Sequence, residues 1–148
     1  MTDRVFQLLG LGWAHAEPES ITRAVTNLAG AQREDGGWAQ LPTLASDAYA
    51  TGLALFALHE GGGVAVDHPA YQHGVEFLLR TQLEDGSWFV ASRSFPIVGY
   101  SNSGFPHGRS QFISAAGTCW ATMALTLTTP SSTHVQGLSP KGFQRLVE

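Results

Sequence analysis

The stretch "AQREDGGWAQ" at 31–40 returns at 81–90 as "TQLEDGSWFV". Gln32 answers to Gln82, Asp35 to Asp85, Gly36 to Gly86 and Trp38 to Trp88, each at an offset of fifty residues. Self-similarity at such a period marks one supersecondary unit stacked on its copy. The Asp-Gly pair redirects the chain, because glycine takes positive φ without steric cost. A tryptophan six residues after the glutamine is placed to lie against the glutamine amide and seal the gap between neighbouring units. Its indole N–H needs an acceptor, either a nearby carbonyl or the glutamine itself. Glu34, Asp35, Glu84 and Asp85 are read as turn formers before any catalytic role.

The segments around these corners alternate in kind. Residues 4–15 form a first helix around Val5, Leu8, Leu9, Leu11 and Trp13. A second runs from Pro18 to about Gln32, with Ile21, Val25 and Leu28 on one stripe and proline in the first turn. A third, about 47–60, is capped by Ser46 or Asp47 and apolar nearly all round, so it is expected to be buried on both sides. Ala50, Ala54 and Ala57 offer it a small-residue face for a close neighbour. The fourth, about 69–82, is one-sided again (Tyr71, Val75, Leu78, Leu79) and the fifth, about 111–127, is apolar all round. One-sided helices alternating with all-apolar ones imply an outer row that faces water and an inner row behind it. Aligning "TGLAL" at 51–55 with "ATMAL" at 121–125 lengthens the offset to seventy, which leaves an insertion of about twenty residues in the second unit.

Composition narrows the function classes. The chain has 148 residues, enough for one domain with a core. A net charge of −4 without any Lys/Arg run argues against nucleic acid and against anionic membrane surfaces. Charged residues are only 14% of the chain, so some apolar surface is expected to meet a ligand or partner. The single cysteine, Cys119, rules out an intrachain disulfide and a cysteine-based zinc cluster, and it reads as a small buried hydrophobe. Glu17, Pro18 and Glu19 stand where a signal peptide would carry small residues, so the start reads as a helix of a soluble chain. No stretch reaches the roughly 20 apolar residues of a membrane span.

The Gln-x-x-Asp-Gly-(Gly/Ser)-Trp corner followed by "SDAYATGLALFAL" or "ISAAGTCWATMALTL" resembles the QW repeats of squalene-hopene and oxidosqualene cyclases. These belong to the terpenoid cyclase/protein prenyltransferase α/α-toroid superfamily, and the resemblance covers about 18–128. It implies an all-α fold of helical-hairpin repeats, here a partial ring of about five helices. Fold alone does not settle function. The polyene-protonating Asp-x-Asp-Asp motif of that family falls on Leu44-Ala45-Ser46-Asp47, where only the last aspartate is present. Ser46 takes the place of the protonating carboxylate, and Asp47 lies at a helix N-terminus, where the dipole favours its charged form. Asp47 is therefore expected to cap, and it is the one candidate for a catalytic residue. The zinc set of protein prenyltransferases fails because Gly117 precedes Cys119 where an aspartate belongs, and the Cys-Gly-Glu-Gln thioester motif is absent. No metal or cofactor is implied.

The insertion holds "RSFPIVGYSNSGFPHGRS" at 93–110. Loops this long are often functional. Read blandly, it packs aromatic residues such as Phe95 over a ring edge and leaves His107 and Arg109 solvated. The sharper reading lines the ring mouth near Asp47. In the toroid the insertion and the Ser46-Asp47 turn both precede inner helices and so share one end. The candidate ligand contacts are Asp47, Tyr49, Tyr100, Ser103, Phe105, His107, Arg109 and Trp120, and Gln32, Gly36, Trp38, Gln82, Gly86 and Trp88 are structural. His59, His68 and His73 receive no role.

Residues 1–128 are expected to form one toroid-like domain and 129–148 a polar tail. About five helices do not close a ring of this family. The inner wall must meet the rest of a longer toroid chain, a second copy, or an apolar small molecule. A start inside an apolar helix favours the first, and Met1 slightly favours a self-standing product. Three functions follow: a cyclase-like repeat domain binding an apolar or isoprenoid-like ligand without cyclisation chemistry, a C-terminal fragment of an active terpenoid cyclase or mutase, and a scaffold for protein partners.

Overall fold

A computed structural model describes residues 1–93 and 100–129. Among these residues the structure is all-helical, with five α-helices: α1 (Thr2–Trp13), α2 (Pro18–Ala29), α3 (Ala48–Glu60), α4 (Pro69–Thr81) and α5 (Gln111–Thr126). A short 3₁₀ turn, Gly108–Ser110, leads into α5. α3 is the hub. It packs against α1 on one side and most extensively against α5 on the other, while α2 and α4 lie behind. The inner row α1–α3–α5 and the outer row α2–α4 form part of an α/α-toroid.

Local sequence explains each start. Pro18 and Pro69 open α2 and α4, where a missing N–H costs nothing. Asp47, not Ser46, caps α3, and its side chain accepts the Ala50 N–H at 2.8 Å. His68 caps α4 by accepting the Ala70 N–H at 3.2 Å, and His59 Nδ1 lies 2.9 Å from the Val64 carbonyl. Both histidines have structural roles that sequence reading did not assign.

The core is centred on α3, of which nine residues are buried, Leu53, Leu55 and Leu58 completely. Leu8 from α1, Leu28 from α2, and Tyr71 and Leu78 from α4 complete it. Each such leucine stabilises the fold by roughly 1.5–3 kcal/mol relative to an exposed one. The Tyr71 hydroxyl donates to the Ala124 carbonyl at 2.9 Å, tying α4 to α5. Burial, with a smaller contribution from the Glu60 carboxylate, pushes its phenol from 10.0 up to about 12. The folded state thus holds this proton more tightly than the unfolded chain. The stabilisation is complete below pH 10 and is lost as pH rises through the folded value, by about 2–3 kcal/mol in all. Urea midpoints across that range are expected to fall more steeply for the wild type than for Tyr71→Phe.

The two corners are the same object built twice. Gln32 Nε2 donates to the Gly36 carbonyl at 2.9 Å and Gln82 Nε2 to the Gly86 carbonyl at 3.0 Å. Asp35 and Asp85 each accept the N–H two residues on, at 2.9 Å. Trp38 Nε1 reaches the Leu28 carbonyl at 2.8 Å and Trp88 Nε1 the Leu78 carbonyl at 2.9 Å, so the indole acceptor is a helix carbonyl and not the glutamine. Gly36 and Gly86 have φ of 82° and 80°. Their surroundings differ. A Cβ on Gly36 would stand 2.5 Å from the His73 carbonyl oxygen of α4, whereas one on Gly86 meets nothing closer than 4.0 Å. Gly86→Ala is expected to cost about 1–2 kcal/mol of backbone strain. Gly36→Ala should add roughly 1–3 kcal/mol of overpacking. Thermal unfolding of the two variants checks the difference.

Several expectations need correcting. α2 ends at Ala29 rather than near Gln32. α5 is not buried on both sides: Gln111, Ser114, Gly117, Ala121 and Ala124 make one buried stripe, and Phe112, Thr122 and Met123 are exposed. Cys119 is exposed as well, not a core residue. The close approach of α3 and α5 occurs at Gly52, where a Cβ would lie 2.5 Å from the Ala121 nitrogen. The register of α5 also differs. The Trp38 N–H donates to Thr51 Oγ1 at 3.0 Å and the Trp88 N–H to Thr118 Oγ1 at 3.1 Å. Thr51 therefore answers to Thr118, an offset of 67 instead of 70. Three residues are close to one helical turn. An all-apolar helix looks alike after such a slip, so the sequence carried no phase.

Candidate functional site

The starts of α3 and α5 and the described part of the insertion between the second corner and α5 lie at one end of the array. Asp47 is extended, with φ −145°. One carboxylate oxygen accepts the Ala50 N–H, and the other accepts Arg93 Nη2 at 2.7 Å. The pair is well shielded, with the Asp47 side chain 9% exposed and that of Arg93 29%. This ion pair fixes the start of the insertion to the inner row. Arg93 was no candidate from sequence. The available signal was a cation at the edge of an insertion that faces a lone acid.

The described part of the insertion is organised by Gln111, only 1% exposed. Its Oε1 accepts the Ser103 N–H and hydroxyl, and its Nε2 donates to the Ser101 carbonyl at 2.7 Å. Asn102 closes the next turn by accepting the Gly104 N–H at 2.9 Å. His107, in the left-handed region at φ 83°, sits 2.8 Å from the Ser87 hydroxyl of the second corner. Phe89 and Phe105 meet its ring edge-on at 5.6 and 6.1 Å. Ser87 donates to Asp85 at 2.6 Å. That bond, the Ser87 N–H and the nearby His107 hold the Asp85 carboxyl below the usual carboxylate range. With the hydroxyl proton given to Asp85, His107 donates Nε2–H to the serine oxygen. It then has no lone pair there to activate Ser87 as a nucleophile. The contact is a latch between insertion and corner.

The sequence candidates therefore separate into small groups. Asp47 pairs with Arg93, Ser103 with Gln111, and Phe105 and His107 gather beside Ser87. Trp120 packs on Phe56 with ring centroids 5.5 Å apart. Tyr49 is half-buried at the start of α3, and Tyr100 and Arg109 are exposed. Phe95 lies outside the described residues. Among the described residues no cluster of metal-ligating side chains occurs, and no helix is long and apolar enough to cross a membrane. Two of the cavities among the described residues lie away from these groups. One of about 350 Å³ is lined by Val25, Ala29, Leu58, Val64 and Ala70 between α2 and α4. The other, of about 310 Å³, lies beside the start of α1.

The sequence that builds this helical array matches a known protein family. The family described as the squalene-hopene cyclase C-terminal domain matches residues 1–147. The chain belongs to this family. A curated relative, the squalene–hopene cyclase of Bradyrhizobium diazoefficiens, is 36% identical over 118 residues. The match covers 68% of this chain and 16% of that relative. As a cyclase-family domain the chain thus spans a small part of the enzyme it resembles, and its described helices supply an arc of the toroid.

Proposed function

We propose that residues 1–128 are one arc of a cyclase-type toroid that forms the wall of an apolar ligand site and does not itself supply the cyclising acid. The observation that carries this reading is the uncovered apolar surface of the inner row. Phe6 and Trp13 of α1 are 53% and 64% exposed, and Phe112 and Met123 of α5 are 61% and 40% exposed. Tyr49 and Phe56 of α3 and Trp120 of α5 are half-buried and pack against the core between them. Large apolar side chains left exposed on both flanking helices of the inner row support a ligand or partner surface. The ligand class is a polyene or isoprenoid-like hydrocarbon, with Tyr100, Ser103, Phe105, His107 and Arg109 at the mouth. Alkene protonation needs a carboxylic acid that carries its proton into a desolvated site. Both Asp47 oxygens already accept hydrogen bonds, one from a guanidinium, which supports the wall reading over an acid role.

A second reading is that the chain is a fragment of an active cyclase whose acid lies elsewhere in the polypeptide. The 16% coverage of the relative favours it. The corners support a continuing array or a second copy. Gln32 Nε2 also donates to the Ala70 carbonyl of the next outer helix at 2.8 Å, whereas Gln82 has no such helix among the described residues. Leu79 and Leu83 beside it are 57% and 42% exposed.

The test is to titrate the purified chain with squalene while following tryptophan fluorescence, and to analyse the mixture for cyclised products by mass spectrometry. Saturable quenching without product is expected. Cyclised product would establish the enzyme reading, and absence of quenching together with no co-purified lipid would leave the protein-scaffold function instead. Light scattering on the same sample separates a lone arc from a pair.

A further inference from the structure

We propose that residues 140–148 of this chain dock as a third outer rod against the second corner and the adjoining side of α5, closing that edge from within. This concerns the outer row and does not rest on the apolar-ligand reading. Residues 130–148 lie outside the described residues.

The first corner shows what a covered corner looks like. Gln32 is half-buried, and its amide donates to the Ala70 carbonyl in the first turn of α4 as well as to Gly36. Gly36 is buried under the His73 carbonyl of the same helix. Arg80 Nη2 donates to the Asp35 carbonyl at 2.8 Å. The second corner repeats the internal bonds, but among the described residues no outer helix lies on it. Gln82 and Gly86 are exposed there, and Glu84 and Asp85 form no ion pair among the described residues.

The chain holds a segment that fits this edge. Pro140, Phe143, Leu146 and Val147 are spaced as Pro18, Ile21, Ala24 and Val25 are in α2. Proline suits the first turn, and the other three make one apolar stripe at i, i+3 and i+4. α2 and α4 are related by fifty residues through Leu28 and Leu78, whose carbonyls accept the two indoles. In that register Gly142 takes the place of Ala70, and its carbonyl is the second acceptor for Gln82 Nε2. Leu146 takes the place of Gly74. A Cβ on Gly74 would stand 2.7 Å from Leu55 Cδ2, so in the first unit the inner leucine fills the space that the outer glycine leaves. Leu55 answers to Thr122 in the α5 register set by Thr51 and Thr118, and Thr122 is smaller and exposed. A leucine on the rod against a threonine on α5 restores the shared volume with the sizes exchanged. Lys141 and Arg145 bring cations to the side of Glu84 and Asp85.

Reach is ample. Thirteen residues, 127–139, join α5 to the segment, against eight, 61–68, between α3 and α4. Thirteen residues span up to about 45 Å, several times a helix diameter of about 10–12 Å. So short a helix is marginal in water alone, and docking is what orders it. Filled in this way, the edge is closed to a second copy.

The test is disulfide trapping in the full chain, at high dilution and with Cys119→Ser to remove the exposed native thiol. Thr122→Cys with Leu146→Cys is expected to form an intramolecular disulfide at least tenfold faster than Thr122→Cys with Gln136→Cys. Loop closure alone favours the second pair, which is nearer in sequence. Adding Phe143→Asp to the first pair should abolish its advantage. Hydrogen exchange on the unmodified chain should show residues 141–148 protected at least tenfold over a free peptide of that sequence. Circular dichroism checks that each variant folds. Equal trapping rates for the two pairs, or exchange as fast as in the free peptide, overturns the proposal. Covalent dimers as the main product would assign the edge to a second copy and overturn it as well.

Discussion

Replacing Trp38 with alanine is expected to destabilise the protein by about 3–5 kcal/mol, a large share of the stability of a domain this size. The side chain is fully buried, and its indole N–H is spent on the Leu28 carbonyl at the end of α2. The outer and inner rows meet at this corner, where the Trp38 backbone also donates to Thr51 of α3. Removing the ring opens a cavity between two helices whose backbones are fixed by neighbouring bonds, so collapse around it is limited. Trp38→Phe separates the two contributions. It retains most of the volume and loses one hydrogen bond, and the Leu28 carbonyl still accepts from the Ala31 N–H. The phenylalanine variant should therefore lose only about 1–2 kcal/mol. Urea unfolding followed by far-ultraviolet circular dichroism measures both. A loss for Trp38→Ala no greater than for a surface substitution would mean that the corners do not hold the rows together.

Gly52→Val should cost about 1–3 kcal/mol or more, even though valine removes glycine's penalty in a helix. A Cβ at this position would stand 2.5 Å from the Ala121 nitrogen and the Trp120 carbonyl carbon, both backbone atoms that no rotamer change can move aside. The α3–α5 contact, the most extensive in the structure, would have to open along its length. The Phe56–Trp120 contact lies on the same seam, and both it and the Tyr71 hydroxyl bond that ties α4 to Ala124 of α5 would loosen with it. Two signatures are expected: a lower urea midpoint and increased protease sensitivity within α5. Gly10→Val on α1 is the control, since a Cβ there meets nothing. Equal losses for the two variants would show that the seam is not close-packed.

Much of the fold was legible because it is local. Proline in the first turn, aspartate before α3 and paired Asp-Gly turns each act within a few residues of themselves, so α2, α3, α4 and both corners fall close to where the sequence puts them. The two rows of helices follow from alternating one-sided and all-apolar segments, and the partial ring is what the family resemblance implies. The candidate site was less legible. Asp47 was identified as a cap, but its second partner, Arg93, is 46 residues away in sequence. Gln111 looked like an ordinary first residue of an apolar helix, and only the folded insertion shows that it holds Ser101 and Ser103. Ser87 and His107 meet because the insertion returns to the corner it left.

The helical rods, their corners and the order of the two rows are encoded locally, because capping, turn chemistry and hydrophobic period are short-range. The register of α5, the exposure of Cys119 and Met123, and the pairing of Asp47 with Arg93 arise from packing between distant segments. A helix apolar on every side carries no phase of its own. Which face it buries is set by the neighbour that packs against it, here by the absent side chain of Gly52.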